Sequence, residues 1–238
     1  MGKCHFKMGV TETKQEALLI IGGSGGIGLA LLNYLSSRTD YVCIPTFKTN
    51  NPLSDSFTWI HYDSNESNST RTLFEKITEK YQIAFVIDAS GSFFASKLQK
   101  SSADEIRNVI STNLVAPFIL AKNSQEFMQI GGKLIYLTSV VGTMQLTGSS
   151  VYAASKAGLE RGIFALSPEF AQTGHGLCAI RLGYMNYGMT YKINEKVRSD
   201  ILAKLPGEGF TDIGVLGEKI LEILRTEATE INGMLYEI

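Results

Sequence analysis

The stretch IIGGSGGIGLALLNYL, residues 20–35, runs from an apolar tail through five glycines into a helical pattern. The tail belongs to ALLII (17–21), a continuous apolar run of the kind found in strands covered on both faces. After the glycines, Ile27, Leu31, Leu32 and Leu35 recur at the spacing of one helix face. A glycine turn between strand and helix lets the backbone approach a pyrophosphate, and the helix N-terminus favours its charge. Glycine also suits any tight turn of this kind, so composition alone does not single out a phosphate site. Gly22, Gly26 and Gly28 fit G-x-x-x-G-x-G, while Gly23, Gly25 and Gly28 can be read as G-x-G-x-x-G.

Outward from this unit the alternation continues. Apolar runs at YVCI (41–44), FTWI (57–60), IAFVI (83–87), KLIYL (133–137), LCAIR (177–181) and GMLYEI (233–238) predict strands. Helical patterns occupy 27–36, 67–81, 102–110, 113–128, 151–172 and 212–225. Strand and helix in alternation predict an α/β fold: a doubly wound Rossmann-type three-layer sandwich around a parallel seven-stranded sheet. The polar stretch DSNESNST (63–70) reads as a strand-to-helix loop with Ser or Asn as cap, not as a linker. The expected division is an N-terminal extension over 1–16 and a single Rossmann-type domain over 17–238.

Composition narrows the function classes. Apolar residues make up 44% and charged residues 19% of the 238, a globular balance. The net charge of −1, with no basic run beyond two residues, gives no footprint for nucleic acid or anionic membranes. No apolar run reaches the ~20 residues of a membrane span. Residues 1–16 lack a signal-peptide core, so the chain reads as cytoplasmic. MGKCHF half matches a myristoylation signal, but Phe6 stands where Ser or Thr is needed. Cys4, Cys43 and Cys178 fit no metal or redox spacing, and His5, His61 and His175 are scattered. Buried free thiols and no metal site are expected.

A second stretch carries chemistry: TSVVGTMQLTGSSVYAASKAGL, residues 138–159. Tyr152 and Lys156 lie four apart, about 40° from eclipsed on one helix, so they share a face. Gly148, Ser149 and Ser150 supply capping residues before that helix. Taken singly, Ser139 reads as a strand-end hydroxyl, Asn113 as a helix cap, Asp63 as an N-cap and Tyr152 with Lys156 as a half-buried face.

Together these positions resemble the short-chain dehydrogenase/reductase family, in its compact single-domain branch, from about residue 17 onward. Gly22, Gly26 and Gly28 match its T-G-x-x-x-G-x-G loop, with Ile21 in place of threonine. Asp88-Ala89-Ser90-Gly91 stands at its N-N-A-G segment, Asn113 at its catalytic asparagine, and Ser139 thirteen residues before the Y-x-x-x-K pair of Tyr152 and Lys156. SVVGTM and YAASKAGL look most like 3-oxoacyl-(acyl carrier protein) reductases. The resemblance implies an NAD(P)H-dependent oxidoreductase that reduces a carbonyl to an alcohol, or the reverse. Its catalytic residues would be Asn113, Ser139, Tyr152 and Lys156. Tyr152 would be the general acid, Lys156 would lower its pKa and hold the cofactor ribose, Ser139 would stabilise the substrate oxygen, and Asn113 would hold a water. Cofactor contacts would come from Gly22, Ser24, Gly26, Ile27, Gly28, Lys48, Asp63, Ala89, Gly91, Tyr152, Lys156 and Met185. The implied partners are a small carbonyl or alcohol, or an acyl thioester, and a second copy of the chain through 113–128 and 151–172, as homodimer or homotetramer.

Three departures qualify the match. Leu182 replaces a proline and Tyr187 a threonine in RLGYMNYGMT, with Thr190 three residues late. Asp88 replaces an asparagine, with no obvious compensating cation. The second strand ends without an acid, leaving Lys48 and the hydroxyls of Thr46 and Thr49, which favours NADP(H), whereas Gly25 stands where NADP-preferring relatives often carry arginine. NAD(H) stays open. Residues 184–210, with Tyr184, Met185, Tyr187, Met189 and Tyr191, and the pair Phe93 and Phe94, suit an apolar or aromatic carbonyl substrate. Two other readings share these features: a sugar-nucleotide epimerase or dehydratase, which has the same Y-x-x-x-K pair, and a non-catalytic dinucleotide sensor or scaffold.

Overall fold

In the computed structural model, residues 14–49, 55–94, 96–185, 187 and 210–238 are described. The strands are β1 (Gln15–Ile21), β2 (Val42–Phe47), β3 (Ile60–His61), β4 (Tyr81–Asp88), β5 (Met128–Ser139), β6 (Gly176–Leu182) and β7 (Leu235–Glu237). They form one sheet in the order β3-β2-β1-β4-β5-β6-β7, and every adjacent pair is parallel. The helices are α1 (Gly26–Ser36), α2 (Ser69–Thr78), α3 (Ala103–Ile110), α4 (Ala116–Phe127), α5 (Ser150–Gln172), α6 (Ile213–Arg225) and α7 (Ala228–Ile231). The strand order reverses between β1 and β4, so their C-terminal ends open the crevice where such sheets bind ligands.

Two cores form because strand residues alternate between faces. Ala17, Leu19 and Ile21 of β1 pack with Phe74, Leu120, Leu159 and Phe170, from α2, α4 and α5. Leu18 and Ile20 pack with Leu31, Leu35, Leu216 and Ile220, from α1 and α6. Cys43 and Cys178 are free, buried thiols, and burial pushes them up to about 11 and about 12 respectively.

Three predicted elements differ. FTWI (57–60) contributes only Ile60 to a ladder; Phe57 and Trp59 instead lay their rings on the α1/α6 core. The helices predicted at 102–110 and 113–128 are one run, α3 and α4 being joined by a π-helical turn at Ser111–Val115. Ser149 is the N-cap residue of α5, yet its hydroxyl donates to Leu146 O (2.7 Å) and caps nothing. Within α5, Pro168 cannot donate an N–H to the Phe164 carbonyl, and the Ser167 hydroxyl donates there instead at 2.9 Å.

The β1–α1 turn depends on two glycines. Gly22 has φ +74°, in the left-handed region. A Cβ on Gly28 would lie 2.2 Å from the Gly22 carbonyl oxygen, so α1 reaches this close only because Gly28 has no side chain. We expect Gly28→Ala to cost about 1–3 kcal/mol, read from the denaturation midpoint, because the clash is with backbone that cannot swing away.

Candidate active site

The glycine loop is held from β2. The Thr46 hydroxyl accepts from Gly22 N–H (3.0 Å), the Thr46 carbonyl accepts from Ser24 N–H (3.1 Å), and Gly25 N–H closes onto Gly22 O (2.9 Å). Leu29 N–H bonds Gly25 O, so intrahelical bonding begins there. Gly26, Ile27 and Gly28 N–H donate to no group among the described residues. Gly25 at the N-cap brings no side-chain acceptor, and the first turn carries no acid. This is the donor set and charge of an anion site, and it fits a dinucleotide pyrophosphate. Thr46 is buried and its hydroxyl is engaged by the loop, so it does not stand free beside Lys48.

At the outer end of the loop, two residues expected to act separately meet. Lys48 Nζ lies 2.9 Å from Asp63 Oδ1, with the lysine about half exposed. Burial disfavours the Asp63 carboxylate, but Lys48 and the Asn65 N–H outweigh it and hold that carboxyl below its ordinary range. Asp63 is not the N-cap of α2, which starts after Asn68.

The segment after β4 runs along the floor of the crevice. Ala89 N–H bonds Ile21 O (3.0 Å), and the Asp88 carboxylate accepts from Ser90 N–H (3.0 Å) and the Ser90 hydroxyl (2.5 Å). A Cβ on Gly91 would lie 3.5 Å from Asn113 Oδ1 and 3.7 Å from Lys156 Nζ, so these two side chains flank it. Asn113 is buried within the π turn and does not cap a helix, contrary to its isolated reading. Its Oδ1 accepts from Ser92 N–H (2.7 Å), and its Nδ2 donates to Ser92 O (2.8 Å) and Ser155 Oγ (3.2 Å). The extra residue of a π turn changes the direction of the side chain, and such turns gather at functional sites.

Ser139 ends β5, where its hydroxyl accepts from Val141 N–H (3.2 Å). Tyr152, on α5, meets the ring of Phe93 edge-on at 5.0 Å. Burial raises the Tyr152 hydroxyl above its ordinary pKa, Ser139 lowers it, and Tyr184 raises it again. The Lys156 ammonium donates to Leu137 O (3.0 Å) and feels the charges of Asp88 and Glu160. Burial nonetheless holds Lys156 below the ordinary lysine range.

Asn113, Ser139, Tyr152 and Lys156 thus line one end of the sheet with Gly91 and the glycine loop. The sequence profile of the short chain dehydrogenases matches residues 16–198. The chain belongs to the short-chain dehydrogenase family. It is 28% identical over 225 residues to a 3-oxoacyl-(acyl-carrier-protein) reductase of Escherichia coli, covering 90% of this chain and 92% of the relative. It is 30% identical over 196 residues to the protein of that name in Rickettsia felis, covering 79% and 80%. A short chain dehydrogenase of Burkholderia cenocepacia, solved in complex with NADP, shares the fold at a TM-score of 0.84 and 19% identity, covering 95% of this chain and 98% of the other.

The departures from the family now have local explanations. Leu182, at the proline position, pairs with Ser139 at the end of the β5–β6 ladder and is buried. Gly183 N–H then bonds Ile238 O (2.8 Å). Met185 buries its side chain in the α1/α6 core and forms an isolated bridge with Thr211; Tyr187 packs on the same core. Met189, Thr190 and Tyr191, and most of the expected lid over 184–210, lie outside the described residues, as do Cys4, His5 and the extension before Lys14. Tyr184, read in the sequence as part of the substrate-facing segment, buries its hydroxyl without a hydrogen-bond partner among the described residues, in a cluster with Tyr152, Val141, Phe93 and Phe94.

Proposed function

We propose that this protein is an NADPH-dependent carbonyl reductase, with Tyr152 as the general acid and a 3-oxoacyl thioester as the favoured substrate. The observation that carries the reading is a buried Tyr152 beside Phe93, close enough to Ser139 at the end of β5 for that hydroxyl to act on its pKa. Two hydroxyls converge where one carbonyl oxygen can take both as donors, and a donor aimed at developing negative charge lowers the barrier. NADPH, when bound, supplies the hydride received by the carbonyl carbon. The chain's residues do the rest. Gly26, Ile27 and Gly28 N–H would hold the pyrophosphate, Lys156 would bind a ribose hydroxyl, and Tyr152 would deliver the proton to the oxygen. The thioester is supported by the acyl-carrier-protein reductases among the relatives. The phosphate on the cofactor is supported by Lys48, about half exposed just after β2, and by the lack of an acid there.

Raised pKa at Tyr152 sets a sign for pH dependence. The tyrosine keeps its proton through neutrality, so reduction should be level there and fall in the alkaline range, while alcohol oxidation, which needs the phenolate, should rise with pH. Tyr152→Phe should abolish reduction with cofactor affinity retained. Lys156→Ala should damage both, and Ser139→Ala should lower kcat by about 10²–10³ with binding intact. Steady-state assays on 3-oxoacyl thioesters, with NADPH binding measured separately, check this contrast. Near wild-type turnover by Tyr152→Phe would remove the tyrosine from the chemistry.

Lys48→Ala should raise Kd for NADPH while leaving NADH almost unchanged, narrowing the ratio about tenfold through loss of one charge-assisted contact. Equal effects on both cofactors would place the 2′-phosphate elsewhere.

We also infer a homo-oligomer. Val115, Phe118 and Ile119, around α4, and Phe164 on α5 are exposed. Phe118 seats against Gly162 of α5, where a Cβ would be 2.4 Å from its ring, so the two helices present a joint apolar face. Light scattering at micromolar concentration should give a dimer or tetramer, and Ile119→Glu with Phe164→Glu a smaller species. A monomeric parent protein would end this claim.

A further inference from the structure

Tyr184 stands two residues beyond β6, where the chain leaves the sheet, and its backbone is held firmly. The Gly183 N–H donates to Ile238 O (2.8 Å), and the Tyr184 carbonyl accepts from Thr211 N–H (2.8 Å). Met185, the next residue, bridges to Thr211 and buries its side chain in the α1/α6 core. Neighbours on an extended, bridged segment point to opposite faces. Tyr184 accordingly packs away from that core, in the cluster of Tyr152, Val141, Phe93 and Phe94. Its hydroxyl is buried there with no hydrogen-bond partner among the described residues. A hydroxyl taken from water and left unpaired is a standing cost to the fold, and a phenylalanine would fill the same space without it. Trp59, Ser124 and Asn232 also bury an unpaired side-chain atom, but none of them belongs to the Tyr152 cluster. Burial holds the Tyr184 phenol above its ordinary pKa, so it keeps its proton and is available as a donor.

We propose that Tyr184 is a specificity-determining residue whose hydroxyl donates to a second oxygen of the substrate, the thioester carbonyl two carbons from the one reduced. The inference rests on the reductase reading. In that reading the reacting oxygen takes Tyr152 and Ser139 as donors, and its two lone pairs are then filled. A third donor in the same cluster therefore serves a different acceptor. A 3-oxoacyl thioester carries one two carbons away, and a simple ketone carries none. The site selects 1,3-dicarbonyl compounds because a ketone leaves the phenol buried and unpaired. Tyr184, Phe93 and Phe94 are each partly exposed, so the cluster reaches the surface and a substrate chain can enter beside it.

Two measurements test the assignment, and the first needs no substrate. Tyr184→Phe removes only the unpaired hydroxyl, so Tm should hold or rise. A fall of about 3 °C or more would show that the hydroxyl has a structural partner, and would overturn the proposal. The second compares kcat/KM with NADPH for a 3-oxobutanoyl thioester and for the 3-oxobutyl thioether, which has CH2 in place of the thioester carbonyl. In Tyr184→Phe the preference for the thioester should fall about tenfold, the worth of one such hydrogen bond. An unchanged preference, equal losses on both compounds included, would overturn the proposal and leave the reductase reading standing. Absence of turnover by the parent protein on both compounds would fail the reductase reading instead. The preference is then read as the ratio of Kd values for the two compounds on the NADP+-loaded protein. No binding of either, or the same ratio in parent and variant, would overturn the assignment of Tyr184.

Discussion

A lysine ammonium is costly to bury, and the C-terminal end of this sheet is organised around that of Lys156. It donates to the Leu137 carbonyl near the end of β5 and feels the charge of Asp88 at the end of β4. Those two strands are neighbours in the ladder, with Asp88 paired to Tyr136. α5 therefore docks over the β4–β5 junction in one position, and Tyr152, one turn earlier, is placed over Ser139. Were the strands out of register by one residue, every side chain would exchange faces and the ammonium would have no partner.

The same region shows a regular element set aside for a site. A continuous α-helix from α3 into α4 would carry the Asn113 side chain in another direction. The π turn at Ser111–Val115 turns that amide into the interior, where it satisfies Ser92 on both backbone groups and bonds Ser155. Ser155 is one position before Lys156, so the amide ties the β4 loop to the helix that carries the tyrosine and lysine. At the opposite side of the loop, a Cβ on Gly22 would lie 3.0 Å from the Ser90 backbone. Glycine turn, β4 loop and α5 are thereby one packed unit, and a displacement of any part is felt by the others.

Much of this was legible in the residues. The apolar runs and helical periods gave seven strands and their flanking helices, because a strand covered on both faces must be apolar at every position. Gly22 and Gly28 carried the turn, since a side chain at Gly28 would strike the Gly22 carbonyl. The separation of Ser139, Tyr152 and Lys156 carried the site, since four residues on a helix bring two side chains to one face. FTWI failed as a strand because aromatic alternation also suits a loop that lays two rings on a core. The break between 110 and 113 concealed a π turn because hydrophobic spacing does not register a single inserted residue.

What the sequence determined by itself is therefore local: which segments extend, which coil, where the turn needs glycine, and which reactive side chains share a helix face. Pairings between distant elements were decided only by the tertiary structure. Lys48 and Asp63 read as two independent contacts and proved to be one ion pair, Thr46 proved to brace the glycine loop, and the Asn113 amide proved to bond Ser155 on α5. Charge and hydrogen-bonding act through space with no period along the chain, so only the packed fold could show which of these groups meet.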